Sequence, residues 1–301
     1  MAGNKVLLAG ASGFLGQAVL ARLQRAGHET VGLDIKPPAE AMGATHITDD
    51  LSDPARLAAI VVKHRPSHIV HAGGVSGPMV LGDQPMATLR INVGGTLNLL
   101  EAALAGGVST FIHCSSLSAI GNYYEAGPIG AQQPMRPASP YGASKAACEM
   151  LLQGLHGRVP LELCALRFTS IYGAGRQTSL ITDVIADAAI AGRTAEVEAV
   201  SDWPYVYVDD AADAVLQAAF SQRRRQLSYY IAYPEQVTAG QLAAAAAEAL
   251  GRPAVAVAMS GLAVSRGPVD ISPAGRDFGY APKIDHREGM RRLVEARRHR
   301  A

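Results

Sequence analysis

Residues 5–23, KVLLAGASGFLGQAVLARL, decide the fold. They read as a short apolar strand, a glycine turn and a helix. Gly10, Gly13 and Gly16 form G-x-x-G-x-x-G. The first glycine allows a tight turn. The second lets backbone approach a pyrophosphate, and the third lets helix and strand pack closely. The helix N-terminus adds unpaired N–H groups and partial positive charge for phosphates. A glycine triplet alone is weak evidence. Between a strand and a helix it stands in the context a dinucleotide site requires.

Working outward, short apolar runs alternate with helical segments. KVLLAG, ETVGLD, ATHI, SHIVHA, STFIHCSS and LELCALRF read as strands. GQAVLARLQRAG, PARLAAIVVKH, GTLNLLEAALAGG and SKAACEMLLQGLHG read as the helices between them. Such alternation implies parallel βαβ units with helices on both faces. The expected fold is α/β: a doubly wound parallel (Rossmann) sheet with a small C-terminal substrate-binding lobe. Residues 1–172 form the cofactor-binding core with the catalytic residues. Residues 173–301 form mostly the lobe, with a late strand at about 227–233 returning to the sheet. TAGQLAAAAAEALG reads as a capped helix, with Thr238 as N-cap, Gln241 three residues on and Gly251 as stop.

Composition excludes several classes. The 27 Lys and Arg nearly balance the 26 Asp and Glu, so no global field points to nucleic acid or an anionic membrane. The basic tail MRRLVEARRHRA reads as a cation-rich helix end. Cys114, Cys148 and Cys164 lack metal-ligand spacing, and no metal is expected. No stretch is long and apolar enough to span a bilayer, and VLLAG is too short for an export signal. A cytoplasmic location is expected.

Asp34 ends the second strand, 18 residues after Gly16. A carboxylate there accepts hydrogen bonds from an adenosine ribose and repels a 2′-phosphate, which favours NAD over NADP. Lys36 would soften that preference. Asp50, in DDLSD, suits either the adenine amino group or a turn. Tyr141 and Lys145, in SPYGASKAACEMLL, stand one helical turn apart on one face. A fixed ammonium favours a phenolate, which can take a proton from an alcohol as hydride leaves for NAD. Ser115, Ser116 and Ser118 end a central strand, where a hydroxyl to orient the substrate is needed.

Together these segments resemble the extended short-chain dehydrogenase/reductases, the group that includes sugar-nucleotide epimerases and dehydratases. GASGFLG is similar to their cofactor loop, which implies contacts from Ser12, Phe14 and Leu15 besides the glycines. DDLSD resembles G-D-L-x-D, with Asp49 in place of the glycine, and implicates Asp50 and Leu51. IVHAGG resembles their fourth strand and sets Gly73 and Gly74 beside the cofactor. NVGGTLNLLEAA is close to N-V-x-G-T and puts Asn92 in the site region. YGASK matches Y-x-x-x-K, and LRFTSIYGAG resembles the segment after the sixth strand, bringing in Phe168. VYVDDAADAV and FGYAPKIDHREGM resemble late family signatures. The resemblance covers nearly the whole chain. It implies Ser116, Tyr141 and Lys145 as the catalytic triad, with Lys145 also holding the nicotinamide ribose and Ser115 contacting the cofactor through backbone.

Two departures bear on substrate. Where nucleotide-sugar epimerases often carry a diphosphate-gripping arginine, this chain has Trp203. Where they often carry an asparagine, it has Ser170. Losing a guanidinium removes a bidentate phosphate contact, although Arg176 lies nearby to compensate. GGVSGPM, with Ser76, reads as a small pocket wall. Ser76, Ser116, Ser170, Arg176 and Trp203 are the expected substrate contacts. The expected activity is NAD-dependent oxidation of a secondary alcohol of a sugar, polyol or sugar acid, with Tyr141 as general base. The alternatives are a nucleotide-sugar 4-epimerase resembling UDP-glucose 4-epimerases, a non-sugar ketone reductase and a non-catalytic NAD-binding scaffold. The partner is a small, carbohydrate-derived molecule. The helices near Asn92 and Tyr141 resemble those of the family's four-helix dimer interface, which implies a homodimer.

Overall fold

The computed structural model describes residues 4–37, 43–76, 80–81, 83–121, 128–200, 202–264 and 267–299. Its strands are β1 (Lys5–Ala9), β2 (Glu29–Asp34), β3 (Thr45–Thr48), β4 (His68–His71), β5 (Thr110–Ser116), β6 (Glu162–Phe168), β7 (Ser170–Tyr172), β8 (Ala195–Val200), β9 (Trp203–Tyr207), β10 (Ser228–Ile231), β11 (Gln236–Val237) and β12 (Val257–Val264). The helices are α1 (Phe14–Arg25), α2 (Pro54–His64), α3 (Pro85–Leu89), α4 (Gly95–Ala105), α5 (Pro140–Leu155), α6 (Ile181–Ala191), α7 (Val208–Phe220), α8 (Ala239–Leu250), α9 (Ser272–Phe278) and α10 (His286–Arg298).

Seven strands form one sheet in the order β10-β6-β5-β4-β1-β2-β3, every neighbouring pair parallel. Both faces are covered. Val6, Leu8, Val70 and Ile112 pack with Val19 and Leu23 of α1 and Ala211 and Val215 of α7. Leu7, Ile69 and Phe111, one residue out of phase, pack with Leu57 of α2, Leu99 of α4 and Leu152 of α5. That is why the strands read as unbroken apolar runs: successive side chains enter opposite cores. The order reverses between β1 and β4, and the crevice at the carboxyl ends there is where such folds take ligands.

The lobe has its own core, where Ile185 of α6, Leu242 and Ala246 of α8 and Met290 and Leu293 of α10 meet Tyr172 and Tyr205. Its small sheet runs β11-β9-β7. The Thr238 hydroxyl accepts the Gln241 N–H at 3.2 Å, and Gln241 Oε1 accepts the Thr238 N–H at 2.9 Å. Gly251 ends α8 in the left-handed conformation.

One helix departs from the sequence reading. The segment expected to start near Gly95 begins at Pro85 and continues through a π-helical turn, Arg90–Gly94, into α4. The widened turn carries the chain through Gly94 and Gly95 without a break. Among the described residues, no helix is long and apolar enough to cross a membrane.

Candidate active site

The glycine turn is built by close approach of backbone. A β-carbon at Gly16 would lie 1.9 Å from the Gly10 carbonyl oxygen, so only glycine lets α1 sit on the turn. Gly13 occupies the N-cap position of α1, where no side chain makes a capping bond, and no acidic residue occupies the first turn. The N-terminal N–H groups of a helix lack intrahelical partners. Here they stand open to an anion, with Ser12, Phe14 and Leu15 in the same turn. At the end of β2, Asp34 Oδ2 accepts the Ser12 N–H at 3.0 Å and Oδ1 accepts the Lys36 N–H at 3.1 Å. The carboxylate is thereby held against the glycine turn. An uncapped helix end beside a fixed carboxylate fits a dinucleotide with a free ribose diol.

Of the neighbouring candidates, Gly73 and Leu51 pack near this turn. Gly73 follows β4, and a β-carbon on it would lie 3.4 Å from the Gly10 nitrogen. Leu51 is held by its carbonyl, which accepts from Asn98 Nδ2 at 2.8 Å. Asp50 Oδ1 accepts the Ser52 N–H at 2.8 Å, the turn role. Asn92, on the π turn, uses its carboxamide on protein. Oδ1 accepts the Val75 N–H at 2.8 Å, and Nδ2 donates to the Val75 carbonyl at 3.1 Å and to Ser144 Oγ at 2.9 Å. Its side chain thus ties the loop after Gly74 to α5. Phe168 is buried in the core at the end of β6, which leaves its backbone for contact. Ser76 is half-buried in the loop after β4, and residues 77–79 of the expected pocket wall lie outside the described residues.

The catalytic candidates meet where β5 ends and α5 begins. Ser139 caps α5, its hydroxyl accepting the Gly142 N–H at 3.0 Å, and Pro140 opens the helix. A β-carbon at Gly142 would lie 2.3 Å from the Ser118 carbonyl oxygen. The glycine therefore lets the first turn, with Tyr141, press against the strand end that carries Ser116. The Ser116 hydroxyl accepts the Ser118 N–H at 3.1 Å. Lys145 is 7 % exposed, and its ammonium donates to the Cys114 carbonyl at 2.8 Å, 6.0 Å from the centre of the Tyr141 ring. Ser116, Tyr141 and Lys145 thus share one junction.

Beneath it lie two imidazoles, His71 and His113, 5.4 Å apart and fully buried. Burial, and then the Lys145 charge, push His71 down to about 3 and His113 well below the usual histidine range. Both are neutral at pH 7. Burial likewise pushes the Cys114 thiol up to about 12, so it is no thiolate nucleophile.

On the substrate side, β7 and β9 pair in parallel and bring Ser170 and Trp203 together. The indole N–H of Trp203 donates to Ser170 Oγ at 2.7 Å. Arg176 donates from Nε to the Thr178 carbonyl at 2.9 Å and from Nη1 to the Ile171 carbonyl at 3.0 Å. Its guanidinium lies 5.7 Å from the ring centre of Phe14 on the glycine turn. A separate cleft of about 420 Å³, lined by Glu235, Gln241, Glu248 and His286 among others, contains none of these residues.

Gly142, Ser144 and Glu149 were not foreseen from sequence. Glu149 had a signal: it is the one charge in the otherwise apolar run AACEMLL, two turns beyond Tyr141.

Comparison with known proteins gives a consistent picture. The chain matches the NAD dependent epimerase/dehydratase family over residues 6–232. It is 30 % identical to the dTDP-6-deoxy-L-talose 4-dehydrogenase (NAD(P)(+)) of Kitasatospora kifunensis, covering 97 % of this chain and 95 % of that one. It is 34 % identical to the uronate dehydrogenase of Pseudomonas putida over 56 % of this chain and 62 % of that one. The crystal structure of a Thermus thermophilus UDP-glucose 4-epimerase in complex with NAD superposes with a TM-score of 0.86 at 27 % identity, covering 99 % of this chain and 100 % of that one.

Proposed function

The chain belongs to the NAD dependent epimerase/dehydratase family and is an NAD-dependent enzyme of the epimerase/dehydrogenase kind; from that premise we propose that it oxidises a secondary alcohol of a sugar, polyol or sugar acid. One observation carries the choice within the family: the Trp203 N–H is given to Ser170. An indole has one polar hydrogen and no charge. Committed to Ser170, it offers a diphosphate neither a donor nor a cation. Arg176 spends two donors on backbone carbonyls and stacks on Phe14, bracing the turn after β7. The likeness to a uronate dehydrogenase agrees with a small substrate.

NAD, when bound, accepts the hydride. Tyr141 acts as the general base for the alcohol proton, and Ser116 orients the alcohol oxygen by hydrogen bonding. Lys145, fixed on the Cys114 carbonyl, sets its ammonium 6.0 Å from the centre of the Tyr141 ring. Asp34 holds the adenosine ribose and disfavours a 2′-phosphate. General base catalysis of this kind contributes about 10²–10⁴-fold, so Tyr141→Phe lowers turnover by that factor. Turnover unchanged by the substitution would remove the enzyme mechanism and leave a binding scaffold.

A nucleotide-sugar 4-epimerase is the second reading, favoured by the full-length likeness to a UDP-glucose 4-epimerase. Calorimetry with UDP separates the two. The dehydrogenase reading expects weak or no binding, together with NADH formation from a panel of aldoses, polyols and uronic acids. Tight UDP binding without net NADH moves the conclusion to the epimerase.

A homodimer through α4 and α5 is part of the proposal. Ile91 on the π turn, Leu97 on α4 and Met150 on α5 are exposed, and a paired helix face would cover them. Sedimentation at the monomer mass would exclude it.

A further inference from the structure

The inner face of α5 carries a third group in line with the catalytic pair. Tyr141, Lys145 and Glu149 follow at intervals of four residues. Glu149 is completely buried and Arg167 is 3 % exposed. Arg167 Nε lies 2.9 Å from Oε2 and 3.1 Å from Oε1, and Nη2 lies 2.9 Å from Oε2. Ser115 donates its hydroxyl to Oε1 at 2.5 Å, and Ser228 donates to Oε2 at 2.8 Å. One carboxylate thus bonds β5, β6 and β10 at once. Arg167 continues outward, donating from Nη1 to the Ala131 carbonyl at 2.9 Å and to the Tyr230 hydroxyl at 3.3 Å.

Stability does not explain such a cluster well. A buried ion pair is expensive to desolvate and is often replaced by packed apolar groups without loss. Apolar packing, however, fixes direction poorly, whereas these bonds are directional. They also fall at a telling place. Ser115 stands between Ser116, the candidate substrate-orienting hydroxyl, and Cys114, whose carbonyl receives the Lys145 ammonium. A grip on Ser115 is a grip on the backbone that sets both.

We propose that Glu149 is a positioning residue: clamped by Arg167, its carboxylate holds Ser115 and so fixes Ser116 and the Lys145 anchor in register with Tyr141. The proposal rests on the catalytic assignment made above. It gives the carboxylate no contact with substrate or cofactor.

Glu149→Gln strands a buried guanidinium, so its folding is itself at stake. Ser115→Ala is the cleaner cut, because it leaves the ion pair whole. Ser228→Ala is the matched control, removing the same kind of bond from a strand that bears no catalytic candidate. Crystal structures of the wild type and both variants with NAD are compared. Ser115→Ala is expected to lengthen the Lys145–Cys114 bond and to move Ser116 relative to Tyr141 by about 0.5 Å or more, the tolerance of a working site. Ser228→Ala is expected to leave both in place. With whichever panel sugar is turned over, kcat of Ser115→Ala falls by about tenfold or more, while KM for NAD moves less than twofold. Superposition of Ser115→Ala on the wild type at Ser116, Tyr141 and Lys145 overturns the proposal. So does an equal displacement in Ser228→Ala, which would make the cluster merely structural. Tyr141→Phe with undiminished turnover refutes the catalytic assignment instead, and the positional result still stands or falls on the coordinates.

Discussion

Two helices begin at the carboxyl edge of the sheet, and they begin differently. α1 starts at Gly13 with no capping side chain and no acid in its first turn. α5 starts at Ser139 with a hydroxyl cap and a proline. Both need a glycine pressed against backbone, Gly16 at Gly10 and Gly142 at Ser118. Beyond that, α1 leaves its N–H groups open for a ligand, while α5 closes its own and works through side chains. An open terminus binds an anion by backbone alone. A closed one presents Tyr141, Lys145 and Glu149 in series. On the proposed assignment, the same strand-to-helix geometry serves binding at one place and proton transfer at the other.

The largest expected effect tests the open end. Gly16→Ala puts a β-carbon where the Gly10 carbonyl is. Overpacking costs about 1–3 kcal/mol, occasionally more, and backbone cannot rotate aside as a side chain can. The upper end of that range, with a fall in Tm of about 6–12 °C, is expected. NAD affinity should fall as well, because α1 must shift on its turn. Calorimetry and thermal unfolding measure both. A variant with unchanged Tm would show that α1 does not need the close approach.

A somewhat smaller effect probes what underlies the closed end. The α1 side of the sheet is apolar at Val6, Leu8, Val70 and Ile112. The α5 side carries His71 and His113, both buried, with His71 pushed down to about 3 and His113 well below its usual range. Unfolded histidines protonate near 6.5. Between that value and the folded one the unfolded chain binds more protons, so stability falls as pH falls. It is fully present above about 6.5 and is lost progressively toward about 3. At pH 5.5 each imidazole accounts for about 1.4 kcal/mol, and the pair for roughly 2–3 kcal/mol. Denaturant unfolding at pH 7.5 and 5.5 reads the difference. His68, buried on the other face and pushed down to about 4 by burial, adds a similar amount to the measured difference, so His71→Phe should remove about a third of it. A wild-type stability flat across this range would mean that the imidazoles find partners when protonated.

The open end was legible because its chemistry lies in the main chain. Glycine spacing records where backbone must approach backbone, and Asp34 stands at the strand end that the βαβ pattern predicts. The sheet strands β1, β2, β4, β5 and β6 were legible because both faces are buried, whereas β3 is an edge strand with no fully buried residue. The closed end was half legible. Tyr141 and Lys145 share a helix face and read as a pair, but Glu149 and Arg167 are partners only once β6 lies beside α5. Each alone reads as a surface charge or an interruption. Asn92 was noticed, yet its work on Val75 and Ser144 depends on the π turn, which the Gly94–Gly95 pair disguised as a helix start. In the lobe, the Trp203–Ser170 bond depends on β7 pairing with β9, which no local period announces.

The smallest expected effect isolates the closure itself. Ser139→Ala removes the hydroxyl that accepts the Gly142 N–H. Loss of such a cap costs about 1 kcal/mol, or roughly 2–4 °C in Tm. Nothing comparable exists to remove from α1, where Gly13 occupies the cap position. If the two ends are as distinct as their first turns suggest, Ser139→Ala leaves NAD affinity within about twofold, since the proposed site for the cofactor's phosphates is at α1. The first turn of α5 frays instead, and Tyr141 is in that turn. Turnover should therefore fall by a few-fold, more than a lost kilocalorie of global stability would produce at a temperature well below Tm. Equal turnover in variant and wild type would mean that Gly142 packed on Ser118 holds Tyr141 without the cap, and backbone approach would then be the organising contact at both helices.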